Sequence, residues 1–357
     1  MINSKLLKID HSACAPLNTI SRQRGLSLIE LMVSILLGAL LLIGIIQSYS
    51  DNLQGNNLQR AFARVQESGR FAVEILAQDI RRADFWGCLS NNTNLTIENN
   101  LDITHADYAS VAEPIVEAFE QGGLLGQDNV PAGTQIDGEE VLENSDTITL
   151  IGASGENSIQ VVKPYMNTNS AALHVSTGNG IKKGDILLVT DCTGGDIFEV
   201  TSANPDTSGQ VTHNTGTVTT VGNGDQEFSH TYAGDAGIQR LRQITYFIGT
   251  GFNGRPALFS SSDGTVAEIA SNVENMEILY GEDTNGNQVV DQYVTADAVG
   301  DMESVLSVRV NLLVASEETN FNDANTTFTL NGIDYGDDGR LRKLYSVVTN
   351  IRNRISG

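Results

Sequence analysis

The stretch Leu26 to Ile46, LSLIELMVSILLGALLLIGII, limits what this chain can fold into more than any other, because it is continuously apolar apart from two serines and one acid, Glu30. As a helix rising about 1.5 Å per residue it would extend about 31 Å, the thickness of a bilayer's hydrocarbon core. Lys5, Lys8, Arg22 and Arg24 precede it, and the first charge after it is Asp51. Cationic flanks stay in the cytoplasm, so the leader is expected inside and the remainder outside. A secretory signal places its apolar stretch before the cleavage point; here a polar leader comes first. The acid then needs a reason, since a carboxylate at the centre of a membrane helix costs about 2.5 to 3.5 kcal/mol and normally has a partner. Glu30 is either close enough to the surface to reach headgroup water or it is held by a cation.

Beyond the membrane run the apolar pattern continues as Leu58, Phe62, Val65, Ala72, Leu76 and Ile80, with no proline between Pro16 and Pro114. These spacings predict one helix from Leu26 to Ala83 with a buried stripe in its second half. Gly38, Gly44, Gly55 and Gly69 interrupt it either as soft points or as sites of close packing. From Asp84 onward the period changes. DTITLIG, DILLVTD, QITYFIG, MEILYGE, SVLSVRVNLLVAS and KLYSVVTNI read as strands, separated by polar, glycine-rich loops. The fold class expected is α+β, a long N-terminal helix packed on an antiparallel β-sheet domain. The formal charge of -23 argues against a nucleic-acid backbone as partner. The one basic strip, GRLRKLYSVVTNIRNR with Arg340, Arg342, Lys343, Arg352 and Arg354, is expected to balance the acidic surface.

The segment RGLSLIELMVS resembles the class III signal of type IV prepilins: a basic leader ending in glycine, a hydrophobic first mature residue, and glutamate at the fifth mature position. Leu26 stands where phenylalanine or methionine is commoner, and the leader is rather long. The resemblance implies that a prepilin peptidase cuts between Gly25 and Leu26 and methylates the new amine. It also implies that Glu30 attracts the Leu26 amine of a neighbouring subunit. Further segments, LAQDIRRADFWGC, DILLVTDCTGGDIFEVT, VENMEILYGEDTNGNQVVDQYV and LYSVVTNIRNR, are similar to the PilW-type minor pilins.

That likeness divides the chain into a cleaved leader (1–25), a transmembrane half-helix (26–46), an amphipathic half-helix (47–84) and an exported β-rich domain (85–357). It implies a subunit of the inner membrane, with a cytoplasmic N-terminus and a periplasmic domain, that later joins the pilus near its tip. The implied partners are the major pilin, other minor pilins, an inner-membrane assembly platform and a tip adhesin. Loss of Cys14 with the leader leaves Cys88 and Cys192, for which an oxidising compartment favours a disulfide.

Other candidate sites are local. DTNGNQVVD places Asp283, Asn285, Asn287 and Asp291 at alternate positions suited to calcium, but it lacks the glycine and the final glutamate of an EF-hand loop, and a hairpin turn explains the same residues. GTGFNG, Gly249 to Gly254, spells a dinucleotide fingerprint without the helix such a site needs, and reads as a hairpin loop. His105, His174, His213 and His230 are scattered, outside any catalytic motif. Three functions are therefore weighed: a minor pilin that primes or caps a pilus, a pseudopilin of type II secretion, and a membrane-tethered binding module or enzyme.

Overall fold

The computed structural model describes residues 27–87, 96–112, 116, 122–153, 158–216, 219–262, 264–319, 321, 327–336 and 338–354. One helix, α1, runs Leu28–Arg82. Its first part, to Asn57, is a separate unit from the compact body that begins at Leu58. Within the first unit the apolar side chains from Leu28 to Ile46 are exposed, and the segment's mean hydropathy of 2.7 meets the length and composition needed to cross a membrane.

Within the second unit, α1 buries Ala61, Val65, Gly69, Ala72, Leu76 and Ile80, a single stripe at spacings of three and four. The stripe is narrower than the sequence pattern predicts: Leu58 and Phe62 remain 43% and 42% exposed. Small side chains let the helix approach the sheet closely. Gly69 lies so near the Tyr345 ring that any Cβ there would overlap it, and the Tyr345 hydroxyl donates to the Val65 carbonyl oxygen at 3.1 Å. Gly38, Gly44 and Gly55 have no such neighbour.

The strands form two principal sheets among the described residues. A nine-stranded sheet is organised on the long strand Gly237–Thr250, which pairs antiparallel with Ile186–Asp191, Thr147–Ala153 and Pro256–Ser262 along successive parts of its length. Thr265–Ser271 forms one edge, and a short parallel pairing of Ile97–Asn99 with Gly194–Glu199 forms the other. A four-stranded antiparallel sheet has the order Gln292–Val294, Val273–Glu282, Val305–Ala315, Arg342–Asn350. Its inward side chains, including Met276, Ile278, Tyr280, Val308, Val310 and Leu312, share one core with Val65, Ala72, Leu76 and Ile80 of the helix and with Ile148, Leu150, Ile244 and Tyr246 of the larger sheet. A second core, around Phe198, Phe228, Tyr232 and Ile238, fills the region between residues 161 and 238.

Candidate functional site

The membrane-side site begins at Ser27, since Gly25 and Leu26 lie outside the described residues. Ser27 and Glu30 form a reciprocal helix cap: the Ser27 amide donates to Glu30 Oε2 at 3.0 Å, and the Glu30 amide donates to Ser27 Oγ at 3.3 Å. The sequence carries this as S-x-x-E directly before an apolar run, a signal separate from the prepilin pattern. Ser34 Oγ donates to the Glu30 carbonyl oxygen at 2.7 Å, so the segment's polar side chains are engaged with its own backbone. The carboxylate therefore stands at the helix start, held by one amide, with acceptor capacity left for a cation.

What fastens the helix to the β-rich domain is a buried junction. After Arg82 the chain turns through Asp84, whose φ of 58° is left-handed. Its amide donates to the Ile151 carbonyl oxygen at 3.1 Å. Its carboxylate accepts Trp86 Nε1 at 2.6 Å and Arg354 Nε at 2.9 Å, where the Arg354 and Asp84 side chains are 2% and 0% exposed. Arg354 also donates to the carbonyl oxygens of Met302 at 2.5 Å, Val305 at 2.6 Å and Gly122. Asn353 Nδ2 reaches the Ala83 carbonyl oxygen at 2.8 Å. Asn353 and Arg354 thus close on the end of the helix, and each nitrogen of the guanidinium fork has an acceptor in place. A turn earlier, Asp79 accepts the Tyr246 hydroxyl at 2.6 Å and faces Arg242 at 3.6 Å. Burial, then the Asp79 carboxylate, pushes the Tyr246 hydroxyl well above its ordinary pKa.

This changes the expectation for the basic strip. Arg354 is an interior residue. Arg342 pairs with Glu274 at 2.6 Å and Asp338 at 2.7 Å, and Arg340 adds Glu274 at 3.3 Å. The hydrogen bonds from Arg342 hold the Asp338 carboxyl down at about 2. These cations neutralise particular carboxylates within the fold, and Arg352 is the strip's exposed arginine.

Cys192 is exposed and follows the strand Ile186–Asp191 in a turn where Asp191 Oδ1 accepts the Thr193 and Gly194 amides at 2.7 and 3.1 Å. Cys88, its expected partner, lies outside the described residues. The preceding Gly87 packs against the strand that leads into Cys192: a Cβ on Gly87 would stand 2.7 Å from Thr190 Oγ1.

The four oxygen-bearing residues of the 283–291 loop are together, engaged mainly with the loop itself. Asp283 accepts the amides of Asn285, Gly286, Asn287 and Gln288 at 3.2, 2.8, 3.2 and 2.6 Å. Asp291 accepts the Thr284 amide at 2.9 Å and Asn285 Nδ2 at 2.8 Å. Burial raises the Asp283 carboxyl's pKa, but the four amides outweigh it and hold the group below its usual value. Among the described residues, no group of three or more His, Cys, Asp or Glu side chains is set to hold a metal ion. The histidines serve the scaffold: His213 is buried and stacked on Phe228 at 3.8 Å, and His230 bonds Asp191 at 2.9 Å. Gly249 to Gly254 turns between two antiparallel strands, with a strand rather than a helix following.

Residues 245–353 match the family model described as Type IV Pilus-assembly protein W, and residues 20–46 match the prokaryotic N-terminal methylation motif. The solved structure of a type IV-like pilin from Thermus thermophilus is similar at 14% identity over 49% of this chain and 86% of that one, with a TM-score of 0.20. No curated protein matches the chain. A methylation-type signal on a spanning helix that continues into an antiparallel β-rich domain defines a pilin-like protein anchored in the inner membrane. The match from Thr245 to Asn353, a segment that holds the four-stranded sheet, supports a type IV pilus minor pilin of the PilW type, and the signal implies pilus subunits and a prepilin peptidase as partners.

Proposed function

We propose that the chain is cut after Gly25, methylated on the Leu26 amine, and held in the inner membrane with its globular domain in the periplasm until it enters the fibre near the tip. There it primes or caps assembly with the major pilin, other minor pilins and a tip adhesin. The observation that carries this reading is the position of Glu30. It is the only ionisable side chain from Leu26 to Ile46, and its carboxylate is held at the helix start with acceptor capacity remaining. Two unit charges 4 Å apart attract by about 4 kcal/mol at an effective dielectric of 20, enough to fix the axial register of packed helices. The Glu30→Gln variant separates this role from the cap, since glutamine can also accept the Ser27 amide but carries no charge. Glu30→Gln is expected to be processed normally and to be depleted from sheared fibres. Incorporation equal to wild type would refute a register set by charge.

The pseudopilin alternative shares the signal and the helix; the PilW match over residues 245–353 favours the pilus. Among the described residues, no group of three or more carboxylate, histidine or cysteine side chains is set to hold a metal, and the tethered enzyme has no arrangement there in its favour. We also propose a Cys88–Cys192 disulfide, supported by the approach of Gly87 to Thr190. By chain entropy, closing a loop of about 100 residues adds up to about 4.7 kcal/mol. Intact mass before and after reduction tests it: a gain of two hydrogens is expected, and an unchanged mass refutes the bond. For the 283–291 loop, the amides already on Asp283 support a hydrogen-bonded turn over a calcium site.

A further inference from the structure

The turn Gly251–Arg255 joins the long strand to Pro256–Ser262, and its backbone is fixed by a set of local hydrogen bonds. The Gly251 amide donates to the Arg255 carbonyl oxygen at 2.7 Å, and the Gly254 amide to the Gly251 carbonyl oxygen at 2.8 Å. Asn253 Oδ1 accepts the Arg255 amide at 2.9 Å, while its Nδ2 meets Asn272 at 3.2 Å. Glu268, on the neighbouring strand, accepts the Phe252 amide at 2.8 Å. The φ of Gly254, 73°, is one that a glycine adopts without strain. At the crest of this rigid turn Phe252 is 94% exposed, more than any other large apolar side chain among the described residues. Nothing in the turn's own bonding uses the ring. With the backbone fixed, burying the ring costs only its own side-chain freedom, and exposed aromatic rings on such a rigid frame are enriched at protein interfaces.

We propose that Phe252 is a docking anchor that enters an apolar pocket on a different subunit of the fibre, one whose surface is neutral or basic; the proposal rests on the pilin reading above. Charge selects the occupant. A chain of net charge -23 is repelled by an anionic lipid surface and by a second copy of itself, so neither is suited to bring the ring into contact. A neutral or basic protein surface meets no such repulsion. Phe252 also lies inside the PilW-matched segment, on the domain rather than the membrane helix.

The test places a photoreactive phenylalanine analogue, p-benzoylphenylalanine, at position 252 of the full chain in piliated cells. Exposed Thr265 receives the same analogue as reference, and sheared fibres are irradiated. The expected result is an adduct at 252, absent at 265, with a different protein that itself begins at a methylated amine. Phe252→Ala is expected to lower fibre incorporation about tenfold or more with unchanged thermal unfolding, and Phe252→Trp to retain it. If the mature chain is in the fibres, the inference is overturned by no adduct, by an adduct to lipid or to a second copy, by an equal adduct at 265, or by wild-type incorporation of Phe252→Ala. Absence of the chain from the fibres overturns the pilin reading together with this inference.

Discussion

Replacing Arg354 by Met tests how the β-rich domain is fastened to the end of its helix. The substitution keeps much of the side chain's length and removes the cation that Asp84 faces in a site with almost no solvent access. Breaking a buried ion pair from one side costs about 3 to 5 kcal/mol, because the remaining carboxylate is left charged without a partner. The carbonyl oxygens of Gly122, Met302 and Val305 lose charged donors at the same time, which places the expectation in the upper part of that range. At about 2 to 4 °C per kcal/mol for a domain of 150 to 250 residues, and somewhat less for a larger one, the full chain in detergent should melt on the order of 10 °C lower. The double variant with Asp84→Asn removes the stranded charge and should recover part of the loss, giving a coupling of 1 kcal/mol or more. A fall of less than about 1 kcal/mol for Arg354→Met, or strict additivity in the double variant, would refute the junction as the main fastening.

Gly69→Leu should destabilise by about 1 to 3 kcal/mol, because the new side chain must displace the Tyr345 ring; thermal melts with and without Tyr345→Ala check it, the second change relieving the first. Asp146 sets a pH dependence. Burial, opposed by the Asn129 and Ile278 amides, raises its carboxyl to about 6, so the native state binds a proton that the unfolded chain releases nearer pH 4. Its contribution to stability is therefore greatest below pH 4 and is lost as pH rises through 6, by roughly 3 kcal/mol, and Asp146→Asn should flatten that segment of a stability-against-pH curve. Asp283→Ala should loosen the 283–291 loop, seen as faster amide exchange at Gly286 and Gln288, equally with and without calcium; protection that depends on calcium would contradict the turn.

The main helix was legible because its apolar period survives the change from membrane to domain, and six strands were legible from β-branched runs. Pro256–Ser262 and Thr265–Ser271 were not, since serine and alanine at strand positions carry no period and are recruited by pairing with the long strand. Leu58 and Phe62 fit the helical stripe by spacing but stand on its exposed margin, which periodicity alone does not show. Glu30 could be read from local pattern, as could its cap with Ser27. The Asp84–Arg354 pair could not, because 270 residues separate them and an arginine in a basic tail looks like any other until the fold brings it inside.

Whether this chain is a processed fibre subunit is decided by intact mass and N-terminal sequencing of the protein recovered from sheared fibres. The expected result is a chain that begins at Leu26 with a methylated amine, present in the fibre fraction. A chain that retains Gly25, or one that remains entirely with the membranes, would contradict it.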